Sequence, residues 1–130
     1  MEYERSVVLD MPFADALDRV RELLSEQGFG VLTEIDVQAT LREKRGVEME
    51  EYVILGACNP ELAHRALEVD RSIGVLLPCN VAVRTEGAGS RVQILDPQTM
   101  SAITERDDLK PVANEASDRL RRVLDSLPRR

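Results

Sequence analysis

Few residues in this chain could do chemistry, and most of them lie between Ala57 and Val81. That stretch holds both cysteines, the single histidine and two Cys-Asn pairs beside proline, Ala57-Cys58-Asn59-Pro60 and Pro78-Cys79-Asn80-Val81. A thiol just before a helix is acidified by the free backbone N–H groups and the helix dipole. Asn59-Pro60 reads as such a helix start, because Asn is a favoured cap and Pro a favoured first helical residue. Glu61, in the first turn, opposes the effect. If the strand ending at Cys58 runs beside the chain at Cys79, the two sulfurs become a redox pair, a metal site or axial ligands for haem. The alternative is that each cysteine is a small buried hydrophobe at a strand end.

Other polar groups offer less. A metal would need further donors, for which Asp96 and His64 are the candidates, and the Cys-x₂-Cys spacing that marks zinc sites is absent; no metal site is assigned. His64 falls opposite Ala63, Ala66 and Leu67 on its helix, with Glu68 one turn on, which suits a solvated imidazole paired with that glutamate. Glu34 and Asp36 share a strand face, either as an acid–base pair or as the solvated side of an antiparallel sheet. Gly87-Ala88-Gly89 is too short for a phosphate cradle and suits a turn.

The elements that must position these groups follow from periodicity. Ser6 to Leu9 is a short strand. A helix then starts at Asp10-Met11-Pro12, with Asp10 or Met11 as its cap, and carries Phe13, Ala16, Leu17, Val20, Leu23 and Leu24 on one stripe until Gly28. Phe29 to Asp36 alternates as a strand, with Phe29, Val31, Thr33 and Ile35 on one face. Ala39 to Glu43 is expected as a further short strand before a turn at Lys44-Arg45-Gly46. Glu50 to Gly56 is a central strand covered on both sides, and a helix runs from Asn59 to about Val69 with Leu62, Ala63, Ala66 and Leu67 inward. Ile73 to Leu77 is an apolar run broken at Pro78. Val81 to Glu86 and Arg91 to Leu95 form a hairpin around Gly87-Ala88-Gly89-Ser90. Gln98 to Arg106 is a polar connection with Met100 and Ile103 tucked in. The final helix, about Asp108 to Leu127, buries Leu109, Val112, Ala113, Ala116, Leu120, Val123, Leu124 and Leu127, with Glu115–Arg119 and Asp118–Arg122 pairs outside.

Composition limits the rest. A length of 130 residues with 43% hydrophobic and 32% charged residues suits one domain, 1–130, with a real core. The 17 basic against 24 acidic residues give a net charge of −7, and aromatics are 3%; phosphate neutralisation and base stacking both lack their residues, which argues against nucleic acid. Met1-Glu2-Tyr3-Glu4-Arg5 lacks a basic n-region and an apolar h-region, and no apolar run nears the ~18 residues of a membrane span. A cytoplasmic location with free thiols and no membrane partner is therefore expected.

Gly28-Phe29-Gly30-Val31-Leu32-Thr33-Glu34-Ile35-Asp36, Ile54-Leu55-Gly56-Ala57-Cys58-Asn59-Pro60, Leu76-Leu77-Pro78-Cys79-Asn80-Val81 and Asp96-Pro97 together resemble the bacterial and archaeal family catalogued as domain of unknown function three-hundred-and-two. The resemblance covers nearly the whole chain in order. It implies an α+β fold like that of the TATA-box-binding protein, a curved antiparallel sheet with helices packed on one face, and a homodimer. It points to Cys58, Asn59, Cys79, Asn80 and Asp96 as site positions and names no reaction, cofactor or role. Three functions follow as expectations: a small molecule or cofactor bound near the two Cys-Asn pairs, a dimeric interaction module with structural cysteines, or thiol redox chemistry. Whether the chain is an enzyme stays open on the residues alone.

Overall fold

A computed structural model describes residues 2–129. Strand β1 (Glu4–Leu9) leads into helix α1 (Phe13–Glu26), then β2 (Gly30–Asp36), helix α2 (Val37–Arg45) and β3 (Tyr52–Cys58). Helix α3 (Pro60–Val69) and a 3₁₀ segment (Arg71–Leu76) precede β4 (Cys79–Glu86) and β5 (Gly89–Leu95). Helix α4 (Gln98–Thr104), a 3₁₀ turn (Asp107–Leu109) and helix α5 (Lys110–Asp125) complete the order. The strands form one open sheet, β1-β5-β4-β3-β2, in which every neighbouring pair is antiparallel. This is an α+β fold with helices packed on one face of the sheet. Among the described residues no helix is long and apolar enough to cross a membrane.

Alternation along the strands sends Val7, Leu9, Val53, Leu55, Ala57, Val81, Val83, Val92 and Ile94 to one face, where all are buried. Ala16, Val20, Leu23 and Leu24 of α1 and Leu120, Val123 and Leu124 of α5 pack on that layer. A second cluster joins Leu62 and Ala66 of α3, Ile73, Met100 of α4 and Val112, Ala113 and Ala116 of α5 at one end of the sheet. Gly87 at φ +58 and Ala88 close a two-residue turn between β4 and β5, and the left-handed φ is why glycine stands there.

Several sequence expectations need correction. Ala39 to Glu43 is helix, not strand: the Asp36 carboxylate accepts from Ala39 N at 2.9 Å, and Gly46 at φ +64 ends α2. Residues 98–104 likewise form a helix, with Met100 buried and Ile103 exposed. The Ile73–Leu77 run contributes to the 3₁₀ segment, in which Ile73 alone is buried. Helix α1 starts after Pro12, whose ψ of 154° is extended and whose carbonyl accepts from Ala16 N, so neither Asp10 nor Met11 caps it.

Strand β2 is a sheet edge with a register shift between Val31 and Thr33, which interrupts the alternation; Ile35 is exposed and Phe29, just before the strand, is buried. Strand β3 is internal to the sheet, yet Tyr52 and Ile54 are only half-buried, so one of its faces is open. Asp118 meets Arg121 rather than Arg122, while Glu115 does reach Arg119, at 3.6 Å.

Candidate functional site

The two Cys-Asn pairs are not equivalent. Cys58 is the last residue of β3 and Asn59 the cap of α3: the buried Asn59 Oδ1 accepts from Leu62 N at 3.2 Å. Cys79 is the first residue of β4 and pairs with Ala57, so it points into the helix-covered side and is buried, whereas Asn80 pairs with Gly56 and is exposed on the opposite face. The Cys79-Asn80 step thus straddles the sheet.

Cys58, Asn59 and Cys79 do come together, around a cavity walled by Phe29, Leu62, Pro78 and Met100. Its volume is about 30 Å³, room for roughly two waters. Burial pushes both thiols up, Cys79 to about 11, and there a charge on Cys58 adds to the effect. The helix-start acidification expected for Cys58 is outweighed by desolvation. Both thiols are therefore neutral at physiological pH, and neither is a ready nucleophile. Among the described residues no three of His, Cys, Asp and Glu cluster as a metal set.

Asp96 sits elsewhere, just past the end of β5. Its Oδ1 accepts from Gln98 N at 3.0 Å and its Oδ2 meets Arg5 Nη2 at 3.3 Å, so it ties the start of α4 to strand β1. His64 pairs with Glu68 at 2.9 Å on an exposed surface. Asp36 caps α2 and Glu34 pairs with Arg21, which leaves those two carboxylates in separate structural contacts.

The larger space lies over the uncovered face of the sheet. A groove of about 450 Å³ crosses β3, β4, β5 and β1 beside Asn80. The register explains its floor: Ile54 lies across from Ala82, which lies across from Gln93, and Leu95 lies across from Glu4. Tyr52 is the cross-strand partner of Arg84, and Tyr3 precedes Glu4 at the far side. A polar ladder runs over the apolar floor. Arg84 Nε donates to Gln93 Oε1 at 3.2 Å, and Gln93 Nε2 donates to Glu4 Oε2 at 3.4 Å. Glu86 is held mainly by Arg91, which donates to both of its oxygens at 2.8 and 2.9 Å; the Arg84 contact to Glu86 is longer, at 3.5 Å.

A family model described as domain of unknown function DUF302 matches residues 5–127. The chain belongs to this family. A crystal structure of an uncharacterized conserved DUF302 protein from Bacillus stearothermophilus is similar over 96% of this chain and 98% of that one, with 29% identity and a TM-score of 0.89. No curated protein matches.

The groove on this DUF302 chain was not legible from any single stretch. Of the five sequence candidates, only Asn80 borders it. A signal was present in β4, where Asn80, Ala82, Arg84 and Glu86 alternate against Cys79, Val81 and Val83. That alternation marks a polar face, and only the strand order adds Tyr3, Glu4, Tyr52 and Gln93 to it.

Proposed function

We propose that this protein binds a small molecule in the groove on the uncovered face of its sheet. The observation that carries the reading is a groove of about 450 Å³ that draws on four strands and has an apolar floor of Ile54, Ala82 and Leu95, against about 30 Å³ at the cysteines. The former falls within the roughly 300–1,000 Å³ of small-molecule sites, and its apolar floor with a few polar groups has the make-up of such sites. Asn80 supplies an amide at the rim, while Cys58, Asn59 and Cys79 form the wall of the packed layer behind it, and Asp96 holds the sheet end. Thiol redox chemistry is less favoured, because it needs a thiolate and burial opposes one.

The test is a fragment screen read by tyrosine emission. The chain has two tyrosines and no tryptophan, and both tyrosines border the groove; Tyr3 also borders a hollow along Glu2–Ser6, so the response of a Tyr3→Phe variant, which keeps only Tyr52, is the one that reports on the groove. Ala82→Phe fills the floor from a half-buried position and should abolish the response without loss of fold. Binding that survives Ala82→Phe contradicts the proposal.

A second reading, a homodimer through the same face, is favoured by the exposure of Tyr3 and Ile35 beside an uncovered sheet. Mass in solution separates the two, since a dimer that covers the face would hide both tyrosines as it forms.

A further inference from the structure

The groove carries two opposite charges at defined places, and that arrangement says more about the ligand than its volume does. Arg84 stands at one pole, directly across from Tyr52. Glu4 stands at the other, next to Tyr3. The Gln93 carboxamide touches both and bridges them, and Arg91 lies across from Arg84 on the next strand. Resting on the groove reading above, we infer that the ligand is a small zwitterion of amino-acid type, its carboxylate on Arg84 and its ammonium on Glu4.

The hydrogen-bond lengths support the assignment of poles. Arg91 and Glu86 satisfy one another through two short parallel bonds, the strong bidentate arrangement, and Arg91 also donates to Ser6 Oγ at 2.8 Å. Among the described residues Arg84 has no such bidentate partner. Its Nε bond to Gln93 is to a neutral amide, and its 3.5 Å contact to Glu86 lies at the limit of a hydrogen bond to an oxygen already shared with Arg91. A guanidinium has five donors in a planar fork matched to a carboxylate, so an incoming carboxylate would improve on what Arg84 holds.

Glu4 is in the matching position. Its hydrogen bond to Gln93 is also long, at 3.4 Å, and to a neutral amide, while the Arg91 guanidinium acts on it through its charge. An ammonium group would replace that contact with a charge-assisted bond. The four groups of the ladder, Glu4, Arg84, Glu86 and Arg91, sum to zero charge, so the ladder itself favours neither a simple anion nor a simple cation. A ligand that carries both charges meets both poles at once, and its carbon chain rests on Ile54, Ala82 and Leu95.

The experiment titrates the unaltered protein with γ-aminobutyrate, butyrate and butylamine while tyrosine emission is recorded. γ-Aminobutyrate is expected to shift the emission at a concentration about tenfold below that of either single-charge compound, from one added charge-assisted contact. Arg84→Gln should lose that advantage over butylamine, and Glu4→Gln should lose it over butyrate. Equal response to all three compounds, blocked by Ala82→Phe, overturns the zwitterion and leaves the groove. No response to any of them overturns the zwitterion. A light-scattering mass that doubles with concentration as the tyrosines become hidden also overturns it, in favour of a second copy as occupant.

Discussion

Raising the pH should weaken this fold through Cys79. The thiol is buried at the start of β4, and desolvation, helped by the charge that Cys58 acquires, holds it at about 11 against an ordinary value of 9.0. An unfolded Cys79 therefore ionises near 9.0, while the folded one stays neutral until about 11. A raised folded value contributes stability that is fully present below the unfolded one and is lost as pH climbs between the two. At about 1.4 kcal/mol per unit, two units amount to roughly 2–3 kcal/mol, an upper figure for a group in a wall that can admit water. Urea unfolding of the natural chain and of Cys79→Ala at about pH 8 and about pH 11 measures it, because groups not coupled to Cys79 cancel in the difference and Cys58, whose charge helps raise Cys79, is part of the effect. At the lower pH the variant should be less stable, by the roughly 1–2 kcal/mol of a small lost side chain. At the higher pH the gap should close or reverse. A gap that is the same at both values would refute the account of Cys79 as a desolvated thiol.

Other perturbations test the frame. Gly56→Ala would place a Cβ 2.1 Å from Thr33 Oγ1 and 2.9 Å from Pro78 Cγ, so it should cost roughly 1–3 kcal/mol by overpacking; Thr33→Ala should recover part of that in the double variant, as urea midpoints would show. Gly46→Ala meets no atom within 4 Å and keeps only the strain of φ +64, so a loss of about 1 kcal/mol is expected. Asn59→Ala removes the cap of α3 at a buried site and should cost roughly 1–2 kcal/mol, read by thermal unfolding. Leu55→Ala, at a fully buried position of an internal strand, should cost roughly 2–5 kcal/mol.

The parts of the fold that declared themselves were those with a buried stripe. Val20, Leu23 and Leu24 in α1, and Leu120, Val123 and Leu124 in α5, repeat at helical spacing because they cover the sheet. Helix α2 has no buried residue at all, so its sequence carried no such rhythm, and its only signals were Asp36 before it and Gly46 after it. Helix α4 is short, with Thr99 and Met100 its buried residues, and showed just as little. Strand β2 misled by its alternation, since a register shift at Val31–Thr33 breaks the face that the pattern implied.

The site was legible in part. Cysteine and asparagine drew attention to Ala57–Val81, and that stretch does bring Cys58 and Cys79 to one small cavity. What the residue types could not convey is that Cys79 and Asn80 leave opposite faces of β4, so that a single dipeptide belongs to two different environments. Groove residues Tyr3, Tyr52 and Gln93 come from distant parts of the chain, and the antiparallel order β1-β5-β4-β3 is what gathers them.

The location of the bound molecule is the central claim, and amide chemical-shift mapping of the labelled protein with a fragment mixture tests it most directly. The account predicts that the perturbed amides gather at Tyr52, Ile54, Asn80, Ala82 and Arg84, around the groove. Perturbations gathered instead at Phe29, Cys58, Leu62 and Cys79, around the cysteine cavity, would contradict it.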